Sequence, residues 1–127
     1  MGLLETAVKY RQKQTELRDA FRNPGRRQTL AIELRTISIE ADKDAENLRE
    51  WLENAENMDS PYYRSATQLY EAYMGARRLY WDWKDSPSPE SFRRMQNAER
   101  VLSEVCLDVS RKKKLLQSAL MSATNQD

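Results

Sequence analysis

Apolar residues recur at alternating intervals of four and three along most of the chain, in four runs separated by breaks rich in Pro and Ser. The first run is Leu3, Ala7, Tyr10, Gln14, Leu17, Phe21. The second is Leu30, Leu34, Ile37, Ala41, Asp44, Leu48, Trp51, Ala55, Met58. The third is Tyr62, Ala66, Leu69, Tyr73, Ala76, Tyr80, Trp83, and the fourth is Met95, Ala98, Leu102, Val105, Val109, Lys112, Leu116, Ala119. Such spacing places one residue per turn on a single helix face. Its persistence is the coiled-coil-like seam of helices that cross at shallow angles. Gln14, Asp44 and Lys112 interrupt the seams, each with an apolar residue close by in the chain.

The breaks are Asn23-Pro24-Gly25, Asp59-Ser60-Pro61 and Asp85-Ser86-Pro87-Ser88-Pro89. All three have turn chemistry. Ser60-Pro61 and Ser88-Pro89 also set a hydroxyl at an N-cap and a proline at the first helical position. The pattern predicts helices over about 3–22, 27–58, 61–84 and 89–122, packed as an elongated, all-α antiparallel four-helix bundle. This makes one domain over 1–122 and a disordered tail over 123–127. Thr29 to Ile39 is rich in β-branched residues, and Leu30, Ile32 and Leu34 alternate as in a strand. The longer 3-4 spacing runs through this stretch and a lone strand would have no partner, so it is read as helix.

The expected helix lengths are unequal. At 1.5 Å per residue the second and fourth span about 48 and 51 Å, the first and third only about 30 and 36 Å. Laid end to end, the fourth helix overruns the start of the third by about ten residues. The overrun holds Leu115, Leu116, Ala119, Leu120 and Met121. A leucine stripe without an internal partner is expected to be a protein interface, either with a second copy of the chain or with a foreign helix.

Charge changes this picture locally. The 127 residues carry 21 Lys+Arg and 20 Asp+Glu, a formal net charge of +1. The balance is uneven along the chain: residues 1–29 hold seven basic and three acidic side chains, and residues 30–60 hold three and nine. Antiparallel topology brings the first and third turns to one pole. There Arg26, Arg27, Arg77, Arg78, Arg93 and Arg94 converge with Trp81 as a candidate anion-binding site. Arginine forks suit phosphate and carboxylate, and an exposed tryptophan can stack on a base. At the other pole, Glu46, Glu50, Glu53, Glu56 and Asp59 of the second helix are expected to face Arg111 to Lys114 of the fourth.

Composition removes several function classes. There is no His and only one Cys, so the common metal ligand and the neutral-pH general base are missing. Cys106 lies beside Val105 on a seam and reads as a small buried residue without an activating base. Glu50 and Glu53 form E-x-x-E and Asp82 and Asp85 form D-x-x-D. These pairs are similar to the Mg²⁺-binding carboxylates of all-α nucleotide pyrophosphohydrolases. They depart from that pattern in the first residue of the second pair, and the topology separates the two pairs. No catalytic residue, metal or cofactor is therefore expected. Leu48 to Ser60 resembles the tryptophan-bearing first helix of a spectrin-type repeat, through the one Leu-x-x-Trp-Leu segment at Leu48 to Leu52.

Mean hydropathy is −0.89 and no run is long enough to span a membrane. The start Met1-Gly2-Leu3-Leu4-Glu5-Thr6 fits the N-myristoylation pattern loosely, but Glu5 opposes an anionic membrane, so no lipid anchor at Gly2 is expected. With no secretory leader and no disulfide, a cytoplasmic or otherwise intracellular location is expected. The functional expectation is a non-enzymatic helical interaction module: an adaptor, assembly factor or small chaperone. Nucleic-acid or polyanion binding at the arginine pole is the alternative.

Overall fold

Local capping chemistry sets where each helix begins. The computed structural model describes residues 2–20 and 22–125, with side chains through Lys114. Helix α1 spans Leu3–Asp19, α2 Pro24–Glu53, α3 Tyr63–Asp85 and α4 Pro89–Asn125. A 3₁₀ turn, Ala55–Asp59, joins α2 to α3. No strand occurs among the described residues, and Thr29 to Ile39 is helical.

Several boundaries depart from the sequence reading, and α1 ends at Asp19 rather than at 22. Helix α2 begins at Pro24, three residues early, because the Asn23 side chain accepts from the Arg26 N–H with Pro24 in the first turn. It stops at Glu53 because Asn54 turns extended, and its side chain caps the Glu56 N–H instead. Ser60 consequently closes the 3₁₀ turn rather than capping α3, which begins at Tyr63. The fourth start is as expected: the Ser88 hydroxyl accepts from the Ser91 N–H at 3.0 Å, and the Ser91 hydroxyl accepts from the Ser88 N–H at 2.9 Å. Helix α4 runs to Asn125, so three of the five residues assigned to a tail continue the helix. Gln126 and Asp127 lie outside the described residues.

The helices form an all-α bundle of two hairpins. Helices α1 and α2 pack as one, α3 and α4 as the other. The hairpins join through α1 on α4 and α2 on α3, and α1 also meets α3 across the bundle axis. Helices α2 and α4 occupy the far diagonal and have no contact among the described residues. The expected facing of α2 carboxylates and α4 lysines therefore does not occur. Arg49 pairs instead with Glu46 and Glu53 of its own helix, and Lys112 with Asp108, one turn back.

The core follows the seams. Leu3, Ala7, Tyr10, Leu34, Ala41, Ala45, Leu69, Tyr73, Ala76, Leu102, Cys106 and Val109 form one buried cluster. Two of the three seam interruptions find partners inside the bundle. Gln14 is buried and donates from Nε2 to the Tyr10 hydroxyl at 2.9 Å. Asp44 accepts from the Thr6 hydroxyl at 3.0 Å, tying α2 to α1. Lys112, by contrast, is exposed.

At mid-height the two hairpins meet closely. The Tyr10 and Tyr73 rings pack edge to face with centroids 5.7 Å apart. Ala7, Ala41, Ala45 and Ala76 surround this level, each at most 2% exposed, so short side chains let the backbones approach. We call this level the waist. Toward the α1–α2 turn the hairpins splay and a cleft opens between them.

Candidate functional site

The cleft between the hairpins has a volume of about 700 Å³. It forms where the α1–α2 and α3–α4 turns share one pole, with Pro24, Arg27 and Gln28 on one side and Trp83, Lys84 and Phe92 on the other. Spacing explains the wall. Tyr80 and Trp83 are three apart on α3, as are Phe92 and Met95 on α4, so each pair presents one helix face. The floor holds three buried residues: Gln14, Met95 and Glu99.

The α1–α2 and α3–α4 turns lie at one end of the bundle, but the structure divides the arginines expected to converge there. Arg27 lines the cleft and is exposed. Arg26 lies outside it, in a shallow depression with Glu16, Asp19 and Asn23. Arg78 is exposed beside Asp42 and Glu46. Arg93 is exposed on the second turn of α4, and Arg94 pairs with Glu90 at 2.6 Å.

Arg77 is the clearest departure from the sequence reading. Its guanidinium turns inward and grips Asp42 through two hydrogen bonds, 3.0 Å from Nε and 2.8 Å from Nη2. It also lies 5.6 Å from the Tyr10 ring centroid and 5.7 Å from that of Trp81. The Tyr73 hydroxyl donates to the same Asp42 carboxylate at 2.6 Å. This knot closes the waist; its cation is bound to a carboxylate of the chain itself. Burial raises the pKa of both phenols, and the Asp42 carboxylate adds to the rise at Tyr73. Trp81, read as free to stack on a base, carries Arg77 on its ring and the Lys84 ammonium 5.1 Å from its centroid.

Four residues central to the cleft escaped the sequence reading as site residues: Gln14, Arg18, Phe92 and Glu99. Gln14 left a signal, as a polar residue on an apolar seam. Its Oε1 is buried and has no hydrogen-bond partner. Glu99 is 7% exposed and bonded by the Arg18 guanidinium. Burial raises its pKa above the usual carboxylate range, against the lowering effect of Arg18 and Arg11. Glu99 left a signal too, four residues after Met95 and three before Leu102.

The one carboxylate on the cleft floor is held by a guanidinium. Cys106 is buried elsewhere in the core, and burial pushes its thiol up to about 11, so it stays protonated near neutrality. Glu53 of the E-x-x-E pair is held by Arg49, and Asp82 and Asp85 sit at the opposite end of the bundle. No helix among the described residues is long and apolar enough to cross a membrane.

The expected interface residues Leu115, Leu116, Ala119, Leu120 and Met121 have side chains outside the described residues. The helix that carries them is described. Along α4, Met95, Glu99, Leu102, Cys106 and Val109 are buried in turn, and then Arg111, Lys112, Lys113 and Lys114 are all exposed. Four consecutive helical residues point in four directions 100° apart, so at that height no described side chain of α4 is buried against the bundle. Helix α4 has 37 residues against the 23 of its antiparallel neighbour α3, an excess of about 14 residues or 21 Å at 1.5 Å each.

No family model, no curated protein and no solved structure matches this chain.

Proposed function

We propose that this chain is a non-enzymatic helical interaction module, an adaptor, assembly factor or small chaperone working inside the cell, that docks a second helix along the end of α4. One observation carries the reading: no side chain of α4 is buried at Arg111 to Lys114, and the helix continues to Asn125. An isolated helix of this length is marginal in water, and most helical stability comes from packing. Leu116 and Leu120, four apart, supply an apolar stripe for a partner helix. The basic collar beneath would favour a partner with acidic residues at the matching height.

The test is solution mass by size-exclusion chromatography with light scattering, with pull-down from the native source if the parent runs as a monomer. The double substitution Leu116→Asp, Leu120→Asp should abolish association while circular dichroism keeps most of the helical signal. Association that survives the double substitution would remove α4 as the docking element.

A second reading, nucleic acid or another polyanion at the arginine pole, is favoured by the exposure of Arg26, Arg27 and Arg93. It differs from the first in one respect that is simple to measure: its affinity would fall steeply with added salt.

A further inference from the structure

Helix α4 carries a second seam, outside the core. Val101, Glu104, Asp108 and Arg111 follow one another at intervals of three, four and three, and the same period places Leu115 on this face. The face is open to solvent: Val101 is 41% exposed, Glu104 and Arg111 are exposed, and Asp108 is half-exposed. Along one edge it borders a shallow groove, where Glu71 and Ala72 of α3 stand across from Val101, Glu104 and Val105.

The order of charge along the face singles it out. Glu104 and Asp108, with Glu71 across the groove, make an acidic half. Arg111 and Lys112 make a basic half, and an apolar residue closes each end, Val101 and Leu115. Turned end for end about a point between Asp108 and Arg111, the face meets its own complement. A parallel copy would set like charge against like. An antiparallel copy sets the carboxylates of each helix against the cations of the other, and Val101 of each near Leu115 of the other. Helix α4 has 37 residues against 23 in α3, which gives each helix length to lie along the other. Lys112 pairs with Asp108 of its own helix at 3.0 Å, and a surface pair of this kind exchanges readily for one across an interface.

We propose that α4 pairs antiparallel with α4 of a second copy through this face, seated along the α3–α4 groove. The contact is isologous, so it closes as a two-fold dimer. The proposal rests on the reading of α4 as the docking element and names its partner.

The test is the solution mass of the full chain by light scattering over a concentration series. The parent should form a dimer. Glu104→Lys with Asp108→Lys makes the α4 seam basic throughout, and Arg111→Glu with Lys112→Glu makes it acidic throughout. Each double variant alone should associate at least about 10-fold more weakly, since attraction becomes repulsion on both sides of the axis. Mixed one to one, the two should regain the parent's dimer, because a basic face then meets an acidic one. All four positions are exposed or half-exposed, so circular dichroism should match the parent. A parent that stays monomeric overturns the proposal, as does a mixture that fails to regain the dimer. A dimer that ignores both reversals but is lost in Leu116→Asp, Leu120→Asp overturns this face and leaves α4 as the docking element. A dimer that ignores all three variants overturns both readings.

Discussion

The waist and the cleft are built between the same two hairpins, yet they solve opposite packing problems. At the waist, Ala7, Ala41, Ala45 and Ala76 admit two tyrosine rings, and the polar tips of those rings are tied to the Asp42–Arg77 pair or to Gln14. At the cleft, Tyr80, Trp83 and Phe92 stand where short residues would be needed for closure, and Gln14 keeps one polar atom unpaired. Interiors pack to the density of organic crystals and buried polar groups are normally satisfied. The waist obeys both rules, and the cleft relaxes both in one place. Sites that bind tend to be such places, since a core that satisfies itself leaves nothing for a ligand.

The sharpest way to break this contrast is to truncate one aromatic from each region. Tyr10→Ala removes a fully buried ring and should cost about 3–5 kcal/mol by urea denaturation. Trp83→Ala, at the half-buried cleft wall, should cost less than about 2 kcal/mol. Equal losses would mean that the cleft is closed core in solution.

A smaller effect tests the knot. Asp42→Ala leaves the Arg77 guanidinium, only 15% exposed, and the Tyr73 hydroxyl without their shared acceptor. Asp42 itself is 47% exposed, so screening keeps the expected loss to about 1–2 kcal/mol. In a double-mutant cycle with Arg77→Ala the two losses should be clearly less than additive. Additive losses would show that the pair does not hold the waist.

The smallest effect is in pH dependence. Burial raises Glu99 above its unfolded pKa, so the folded state holds its proton more tightly than the unfolded state does. Its contribution is then full below the unfolded value, about pH 4.3, and is lost as pH rises through the folded value. The parent should therefore lose stability relative to Glu99→Gln as pH rises from about 4 toward neutrality. A relative gain over that interval would mean that the Arg18 pair outweighs burial and that the cleft floor is as well satisfied as the waist.

Much of the fold was legible because it rests on local chemistry and period. The alternation of three and four gave the four helices and carried Thr29 to Ile39 past its β-branched composition. Ser88-Pro89 announced the start of α4, and the hydroxyl exchange with Ser91 confirms it. Asn23 and Asn54 were harder to read, because an asparagine can start or stop a helix depending on which N–H its side chain finds. Arg77 was misjudged for a related reason. It sits in a run of charge and aromatics, but it lies one turn after Tyr73, on the edge of the seam, while Arg78 is rotated 100° away. Spacing could have found it; composition could not.

By itself the sequence determined the class of the fold, the core faces, the convergence of two turns at one pole and a fourth helix longer than its neighbour. These depend on periodicity and on residues adjacent in the chain. The tertiary structure alone decided that α2 and α4 lie on the far diagonal, that Asp42 takes both Tyr73 and Arg77, and that Gln14 ends on the floor of an open cleft. A period fixes which face of a helix is buried. Which neighbour meets that face, at what height and how closely, follows from side-chain volumes on all four helices together.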